Sequence, residues 1–294
     1  MSELVDCINN LSAKDIIKSA AKTANGVPFY IQTSGLSGFC ATYQAYYDAM
    51  TTKPSAAYAA AQNTLFCGLV DAGYWANDID LMYWFAQETN GGGEAQINAK
   101  NPGTFDCVEI PNGGALAFTA LEGLQGDNAA CLNTSWIAGT HAVNFTQDSC
   151  GIIMGAQTLA PANTYDVGAG DGTRTVRLSY NQTGYSKGMM CGTDENSPVT
   201  IVAPIHLGFR RTDNNTMRWD MNKVHSGDAG ASDGVPITYP FYIFAYNNSN
   251  SVGLPCARRI SYVIVTSGLS DADSDIIVDL CEACLDSVGK GLLP

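Results

Sequence analysis

The chain has 294 residues, of which 15% are charged and 46% are hydrophobic, and its formal net charge is −13. Nucleic acids and anionic membranes both require clustered lysine and arginine side chains that neutralise phosphates. Because 28 acidic residues outnumber 15 basic ones, we expect neither partner. The sequence has no run of 18 apolar residues, so we also expect no membrane insertion.

Residues 1–38 are predicted to form an N-terminal arm that docks on a partner or supports oligomerisation. Ser12 and Asp15 fit a capping box for a short helix that ends near Ala24. A helix this short with few large apolar side chains is marginally stable by itself. The first residues include acids and lack an apolar stretch before a cleavage site, so we expect no signal peptide.

Residues 39–90 are predicted to form a helical lead-in to the main domain, which spans 39–294. A first helix follows from side chains spaced i, i+3, i+4 and i+7, namely Tyr43, Tyr46, Tyr47 and Met50. A second helix begins after Ser55 and ends at Gly73. The next segment, DIDLMYWFAQ, carries neighbouring aromatic residues, which favour a strand.

Short β-branched and aromatic runs alternate with Gly, Asn and Asp turns over most of the remaining chain. The runs predicted as strands are 115–120, 129–134, 142–146, 150–157, 174–180, 187–191, 199–209, 216–224, 239–246 and 258–267. Turns at intervals of about eight to twelve residues predict two packed antiparallel sheets.

Two of these runs have an informative pattern. In RTVRLSY, Val176 and Leu178 alternate with Thr175 and Arg177, which is typical of a half-buried strand. In FYIFAYNNSNSVG, residues 241–253, apolar and aromatic residues occupy six consecutive positions before an Asn-rich turn. We interpret this segment as a central strand with both faces covered.

Residues 270–289 are predicted to form a closing helix. Ser270 is a favourable N-cap residue with Asp273 at N3, and acids in the first turn interact well with the helix dipole. An apolar stripe follows at Ile276, Ile277, Leu280, Cys284 and Val288. The predicted fold class is therefore mainly β, with helices before and after a sandwich.

The ten cysteines are expected to be free, buried thiols, because we expect no export signal. Cys281-x-x-Cys284 has the spacing of half a zinc or redox motif. A zinc site needs a second pair or histidines at matching spacing, and His141, His206 and His225 are isolated. We therefore interpret Cys281 and Cys284 as small apolar groups on one face of the closing helix.

Five segments occur in a recognisable order along the chain. They are AAQNTLFCGLVDAGYWANDIDLMYWFA, GGEAQINAKNPGTF, FTALEGLQGD, FYIFAYNNSNS and ARRISYVIVTSGLSDADSDIIVDLCEACLDSVGKGL. Their order resembles a group of virion proteins of tailed phages of gut Bacteroidetes, including crAss-like phages, and covers about residues 40–294. The resemblance implies a concanavalin A-like (laminin-G-like) jelly-roll sandwich. It also implies a place on the particle surface, as a head fibre, a capsid decoration protein or a tail appendage.

Catalytic chemistry finds little support in the sequence. A glycosidase needs two carboxylates that face one cleft, about 5–10 Å apart, and no predicted strand carries such a pair. The glutamates considered are scattered: Glu94, Glu109, Glu122, Glu195 and Glu282. No nucleophile elbow or phosphate-binding loop accompanies them. We therefore expect no enzymatic activity and no catalytic residue.

The candidate segments for metal binding are three loops that contain acids and glycines. Calcium needs several oxygen ligands close together. Three loops hold pairs of acids, namely Asp166 with Asp171, Asp194 with Glu195, and Asp228 with Asp233. None has the spacing of a known calcium loop, so we expect no metal and no other cofactor, with calcium as the alternative left open.

Sugar binding is the remaining chemistry that the sequence supports. Lectin sites combine an aromatic platform with planar amides and acids. Tyr185 lies in a predicted turn, and Asn247 and Asn248 lie in the Asn-rich turn, so these three are our candidate ligand-binding residues. The aromatic residues Trp219 and Tyr246 are predicted to belong to the core.

The leading hypothesis is a structural protein on the surface of a phage particle, anchored to other virion proteins through residues 1–38. The alternative is a host-glycan-binding (receptor-binding) module of a phage fibre, and a cellular lectin or glycosidase is the third class considered. Low charge and many apolar strand residues indicate surface that another subunit covers. The resemblance to phage fibre and decoration proteins implies that the assembly is a homotrimer. We expect assembly in the bacterial cytoplasm and a final location in the virion.

Overall fold

The structure, a computed structural model, describes most of the chain from residue 38 onward. The described residues are 38–159, 163–171, 174–182, 185–191, 195–196, 203–232 and 237–293. The side chains at 180–182, 185–187, 195–196 and 228–229 lie outside the description. The short helix predicted in the arm also lies outside the described residues, so the docking role of the arm stays a prediction.

The described residues contain five α-helices, one short 3-10 helix and seventeen strands. The helices are α1 Ala41–Ala49, α2 Ala56–Asp71, α3 Tyr74–Asn77, α4 Ala138–His141 and α5 Asp271–Asp286, and the 3-10 helix is Glu94–Gln96. The strands are β1 Ile79–Trp84, β2 Val108–Ile110, β3 Ala117–Thr119, β4 Gly123–Gln125, β5 Cys131–Asn133, β6 Cys150–Ala156, β7 Val167–Gly170, β8 Thr175–Gln182, β9 Tyr185–Met190, β10 Glu195–Asn196, β11 Ile205–Arg211, β12 Thr216–Met221, β13 Val224–Ala229, β14 Tyr242–Ile243, β15 Tyr246–Asn248, β16 Ser251–Gly253 and β17 Arg259–Thr266.

The strands form two sheets of eight and nine strands. Neighbours in the first sheet follow the order β13-β12-β11-β6-β17-β4-β3, and β1 also pairs with β17. Neighbours in the second sheet follow the order β10-β9-β8-β7-β14-β5-β2, and β15 pairs with both β7 and β16. The predicted fold class, a mainly β jelly-roll sandwich with a helical lead-in and a closing helix, is confirmed.

The central strands of the first sheet are buried on both faces, and the alternation of their side chains shows this. In β1, Leu81 and Tyr83 belong to the core between the two sheets, whereas Met82 and Trp84 belong to the core between the first sheet and the helices. Trp84 stacks on its cross-strand partner Tyr262 of β17, with ring centroids 5.5 Å apart. The described residues therefore form three layers, namely the second sheet, the first sheet and the helices.

The helical layer follows local signals in the sequence. Ser55 caps α2, because its Oγ accepts a hydrogen bond from the backbone N–H of Tyr58 at 3.3 Å. Tyr46 of α1 stacks on Phe66 of α2, with ring centroids 5.1 Å apart. At Gly68, a Cβ atom would lie 2.6 Å from a methyl carbon of Leu280, so α2 and α5 meet closely where α2 lacks a side chain. The predicted helical lead-in is confirmed in this part of the chain.

The segment 239–246 is not the single strand that we predicted. Phe244 has a φ of 67°, and the chain reverses there. As a result, β14 runs antiparallel to β7, whereas β15 runs parallel to the same strand. All six residues from Phe241 to Tyr246 are buried, as expected. The prediction of burial was right, and the prediction of one regular strand was wrong.

The predicted strand at 142–146 is a loop. The carboxylate of Asp80 accepts hydrogen bonds from three consecutive backbone N–H groups, those of Val143, Asn144 and Phe145, at 2.9–3.1 Å. In a β-strand, these N–H groups would donate hydrogen bonds to a neighbouring strand. Here the carboxylate of Asp80 accepts these hydrogen bonds instead.

One pair of cysteines departs from the expectation of free thiols. Cys40, at the N-cap of α1, forms a disulfide with Cys67 of α2, and their Cα atoms lie 6.1 Å apart. The two helices pack against each other and bring together residues that are 27 positions apart. The other cysteines in the described residues are free and buried. Cys281 and Cys284 are among them, so their interpretation as small apolar groups is confirmed.

The C-terminal tail is fixed to α5 by one buried carboxylate. Glu282 accepts backbone N–H groups from Leu292 at 2.8 Å and from Leu293 at 2.7 Å. Its Oε2 also lies 2.7 Å from Nε2 of His206, and the other ring nitrogen of His206 contacts the hydroxyl of Tyr262. Burial acts to raise the pKa of Glu282, but these hydrogen bonds outweigh it and hold that pKa below its ordinary value.

No helix among the described residues is long and apolar enough to cross a membrane.

The lowered pKa of Glu282 makes part of the stability dependent on pH. A carboxylate with a depressed pKa stabilises the folded state fully above its unfolded pKa, about 4.3, and this contribution is lost as the pH falls through the folded pKa. We expect the free energy of unfolding of Glu282→Gln to depend less on pH below about pH 4.3 than that of the unchanged chain. Urea unfolding at several pH values measures this.

Asp71→Asn, at the exposed C-terminal end of α2, is the matched control for the loss of one negative charge. Identical pH profiles for Glu282→Gln and the unchanged chain would contradict the role of Glu282 in the tail.

Candidate functional site

The three candidate ligand-binding residues have different surroundings. Asn247 is fully buried: its Nδ2 donates to the carbonyl of Pro240 at 2.8 Å, and its Oδ1 accepts the N–H of Asn250 at 2.7 Å. Its side chain therefore holds the turn together. Asn248 is exposed. Tyr185 is the first residue of β9, and its side chain lies outside the described part of the structure.

The strand geometry explains the difference between the two asparagines. Successive side chains of a strand point to opposite faces. Asn247 is therefore directed to one face of β15, and Tyr246 and Asn248 are directed to the other. The parallel pairing with β7 places Asn247 beside Ala169 and Asn248 beside Gly170. Since Ala169 belongs to the core between the sheets, Asn248 lies on the outer face of the second sheet.

A group of four residues occupies this outer face next to Asn248. Strand β8 pairs with β7 so that Arg177 lies opposite Gly168 and Thr175 lies opposite Gly170. Val176 and Leu178 belong to the core, so the alternation places Thr175 and Arg177 on the outer face, as the sequence predicted. The strand is more buried than the half-buried strand that we expected, because Thr175 is buried as well and Arg177 is only partly exposed. We call the four residues the outer-face cluster: Tyr165, Thr175, Arg177 and Tyr246.

Aromatic contacts define the geometry of the outer-face cluster. The guanidinium carbon of Arg177 lies 5.0 Å from the ring centroid of Tyr165 and 5.8 Å from that of Tyr246. The two rings are 5.4 Å apart and inclined by 45°. The hydroxyls of Thr175 and Tyr246 lie within hydrogen-bond distance, at 3.3 Å. The cation–π contacts orient the guanidinium group on two nearly buried rings.

Gly170 makes room for this arrangement. A Cβ atom at this position would lie 2.2 Å from the hydroxyl oxygen of Tyr246 and 2.4 Å from the carbonyl of Arg174. Any side chain here would therefore displace the ring of Tyr246. Gly170 lies in the sequence GAGDG, which resembles a turn. In the structure Gly170 instead allows the close packing of the outer face.

The electrostatics of the cluster favour a neutral tyrosine beside a fixed positive charge. Burial raises the pKa of Tyr246, so its hydroxyl stays protonated at neutral pH and can both donate and accept a hydrogen bond. The side chain of Arg177 is partly exposed. Its guanidinium group places a positive charge on this face of a chain whose formal charge is −13.

A second polar cluster lies between the first sheet and α5. Asp220, His225 and Asp271 offer atoms within 4.8 Å of one another that could hold a metal ion, the one such group of three found in the described residues. Nη2 of Arg210 lies 2.9 Å from Oδ1 of Asp220 and 2.5 Å from Oδ1 of Asp271. A guanidinium group therefore already balances the carboxylates, and we interpret the cluster as an ion-pair network that joins α5 to the sheet.

The acid-glycine loops considered for calcium are only partly described. Asp166 is fully buried, and its Oδ2 lies 3.3 Å from Nη1 of Arg258. Asp171 accepts the backbone N–H of Arg174 at 2.8 Å. Both carboxylates therefore have internal roles. Asp194 and Asp233 lie outside the described residues, as do the side chains of Glu195 and Asp228.

Trp219 is confirmed as a core residue and is 1% exposed. Tyr246 is buried, at 7% exposed, but it lies on the outer face of the second sheet and not in the core between the sheets. Neither ring is an open platform. Sequence reasoning missed Tyr165, which lies just before a strand that it did not predict. The alternation in RTVRLSY was the available signal for Arg177.

Comparison with known proteins adds little that is specific. No protein-family profile matches the chain, and no curated protein sequence matches it. Three solved structures are partly similar in their coordinates, and all three share 14% sequence identity with this chain or less.

Domain 4 of AbnA, a GH43 extracellular arabinanase from Geobacillus stearothermophilus, in complex with arabinotriose, is 14% identical, with a TM-score of 0.47 over 69% of this chain and 97% of that one. The CBM40 of the Ruminococcus gnavus IT-sialidase bound to α2,3-sialyllactose is 14% identical, with a TM-score of 0.36 over 45% and 83%. Trypanosoma rangeli sialidase in complex with sialic acid is 11% identical, with a TM-score of 0.45 over 72% and 33%. We base no conclusion about ligand or activity on these similarities.

The two asparagines provide a matched pair for mutation. We expect Asn247→Ala to lower the free energy of unfolding by about 2 kcal/mol, because it removes two hydrogen bonds from a buried turn. Asn248→Ala should change the stability by less than about 0.5 kcal/mol, since Asn248 is exposed. Urea unfolding followed by tryptophan fluorescence measures both. Equal losses from the two variants would contradict the structural role of Asn247.

Proposed function

We propose that this chain is a lectin-like surface module that binds a glycan on the outer face of the second sheet. The observation that supports this is the outer-face cluster beside the exposed amide of Asn248. Sugars present pairs of hydroxyl groups on an apolar ring, and planar groups such as guanidinium and amide can hydrogen-bond to two such groups at once. A few oriented polar groups beside aromatic side chains are typical of small-ligand sites.

The arrangement of the layers also favours the outer face of the second sheet as the binding site. On the outer face of the first sheet, the central strands pack against the helices, so their side chains contribute to a core or to the ion-pair network. The outer-face cluster lies on the opposite side of the sandwich. The guanidinium group of Arg177 lies against the rings of Tyr165 and Tyr246. Contacts of this kind hold a binding group in place before a ligand arrives.

The proposed setting is the surface of a phage particle, and the resemblance of five ordered segments supports it. In this setting residues 1–38 attach the module to other capsid or tail proteins, and the protein assembles as a homotrimer inside the host bacterium. The glycan would then belong to the host surface. A role without catalysis is part of the proposal.

Glycan binding is tested with an array and a matched pair of variants. We expect the purified protein to bind a subset of glycans, and Asn248→Ala to weaken binding about tenfold, the effect of one or two lost hydrogen bonds. Asn214→Ala is the control, because Asn214 is an exposed asparagine in a turn of the first sheet. No binding across the array would refute the proposed function, and equal losses in both variants would refute the assigned face.

The second candidate is a purely structural virion protein, which the same resemblance favours. Mass spectrometry of purified phage should then find the chain at a fixed ratio to the major capsid or tail proteins. A fixed ratio together with a silent glycan array would favour this candidate over the first. Absence from the particles would exclude both phage roles and leave a cellular lectin or glycosidase.

A further inference from the structure

We propose that the disulfide between Cys40 and Cys67 is a reversible redox switch that controls how firmly α1 is held on α2. The structure contains the closed form, in which the two Cα atoms lie 6.1 Å apart. The open form carries two thiols and belongs to reducing surroundings such as a cytoplasm, where structural disulfides are rare. The switch does not depend on glycan binding, because it lies in the helical layer, on the other side of the sandwich from the outer-face cluster.

Solvent exposure distinguishes this pair from the other cysteines. Cys40 and Cys67 are partly exposed, whereas the seven free cysteines in the described residues are buried. Burial raises the pKa of six of these thiols, so little of the reactive thiolate is present at neutral pH: Cys107, Cys131, Cys150, Cys256, Cys281 and Cys284. A small oxidant or reductant in solution therefore reacts first at Cys40 and Cys67.

The thiols of Cys150 and Cys191 provide an internal contrast. Cys150 begins β6 and Cys191 directly follows β9, and their sulfur atoms lie in hydrogen-bonding contact. Both residues belong to the core between the sheets, so a reagent reaches them only when the sandwich opens. Mild oxidation therefore acts on the pair at α1 and α2 and leaves this second pair reduced.

The switch closes by thiol–disulfide exchange with a low-molecular-weight disulfide such as oxidised glutathione. The thiolate of one cysteine attacks a sulfur of that disulfide, forms a mixed disulfide and releases one glutathione thiolate. The thiolate of the second cysteine then attacks the protein sulfur of the mixed disulfide and releases the other glutathione. The protein loses two protons and two electrons, and one oxidised glutathione becomes two reduced molecules.

The beginning of α1 depends on contacts with α2. Besides the disulfide, the backbone N–H of Cys40 donates a hydrogen bond to Oδ1 of Asn63 at 2.9 Å. Cys40 is the N-cap residue, but its side chain makes no capping hydrogen bond, and the first turn of α1 carries no acid. A helix of 9 residues without these local signals is marginally stable by itself.

Aromatic packing keeps α1 docked in the open form as well. Tyr46 stacks on Phe66, and the hydroxyl of Tyr43 donates to Oε1 of Gln62 at 2.9 Å. We therefore expect reduction to increase local opening of α1 rather than to release the helix. The closed disulfide opposes this opening, because it keeps the two helices together when the other contacts break and so lowers the entropy gained.

The position of the disulfide in the chain gives the switch a consequence. Residues 1–38 are joined to the domain through Phe39 and Cys40. A force on that segment reaches α1 first, and in the closed form the disulfide transfers it to α2. Because α2 meets α5 closely at Gly68, the closed form connects the N-terminal attachment point to the packed helical layer.

Hydrogen exchange of the two forms of the full chain tests the switch. The chain is equilibrated with oxidised glutathione or with dithiothreitol, and alkylation under denaturing conditions with mass spectrometry identifies the free thiols. We expect Cys40 and Cys67 to be protected together in the first sample and alkylated in the second. The amides of α1 should exchange at least about tenfold faster in the reduced form, and those of α5 should exchange equally in both.

Three variants assign the effect to this pair. Cys67→Ala should make the exchange of α1 independent of the reductant and similar to that of the reduced unchanged chain. Thr64→Ala, an exposed change on the same helix, is the matched control and should keep the full response. Cys7→Ser should also keep it, which tests pairing with the cysteine that lies outside the described residues.

The outcomes test each part of the inference separately. Alkylation of Cys40 and Cys67 after equilibration with oxidised glutathione would refute the closed form. Equal exchange of α1 in the two forms of the unchanged chain, a comparison that needs no variant, would refute control over α1. A response to reductant that survives in Cys67→Ala, or disappears in Cys7→Ser, would refute the assignment to Cys40 and Cys67.

Discussion

Burial of the central strands of the first sheet on both faces is the constraint on which the rest of this structure depends. Strands β1, β6 and β17 contribute apolar side chains alternately to the core between the sheets and to the core beneath the helices. A sheet of this kind is stable only if a second layer covers each face. The helices α1, α2 and α5 therefore are part of the domain, and the second sheet is left with the outer face on which a ligand is proposed to bind.

The charged groups beneath the helices and the charged group on the second sheet have different surroundings. Arg210, Asp220 and His225 lie beneath α5, where they pair with one another and with the helix, and Glu282 fixes the tail there. Burying such charges costs free energy unless each finds a partner, so they specify how α5 docks rather than offer a site. Arg177 lies on the opposite sheet, beside aromatic rings and partly exposed, in the outer-face cluster on which the functional proposal rests.

The sequence predicted part of the candidate site. Individual residues show why it could not predict the rest. The Asn-rich turn lies beside the outer-face cluster, and Asn248 is exposed there. Asn247 was indistinguishable from its neighbour until the pairing of β15 with β7 showed which face each occupies. Tyr165 and Arg177 contact Tyr246 only because the strands pair in this way. Their distance along the chain gives no indication of these contacts.

The sequence by itself determined the class of fold, both long helices, the capping residue Ser270 of the closing helix, and the buried character of residues 241–246. These are local properties, set by hydrophobic period, capping chemistry and turn residues. Tertiary structure alone decided the reversal at Phe244, the loop held by Asp80, the Cys40–Cys67 disulfide and the outer-face cluster. Each of these depends on residues distant in sequence, whose contacts arise from strand pairing and layer packing rather than from any local preference.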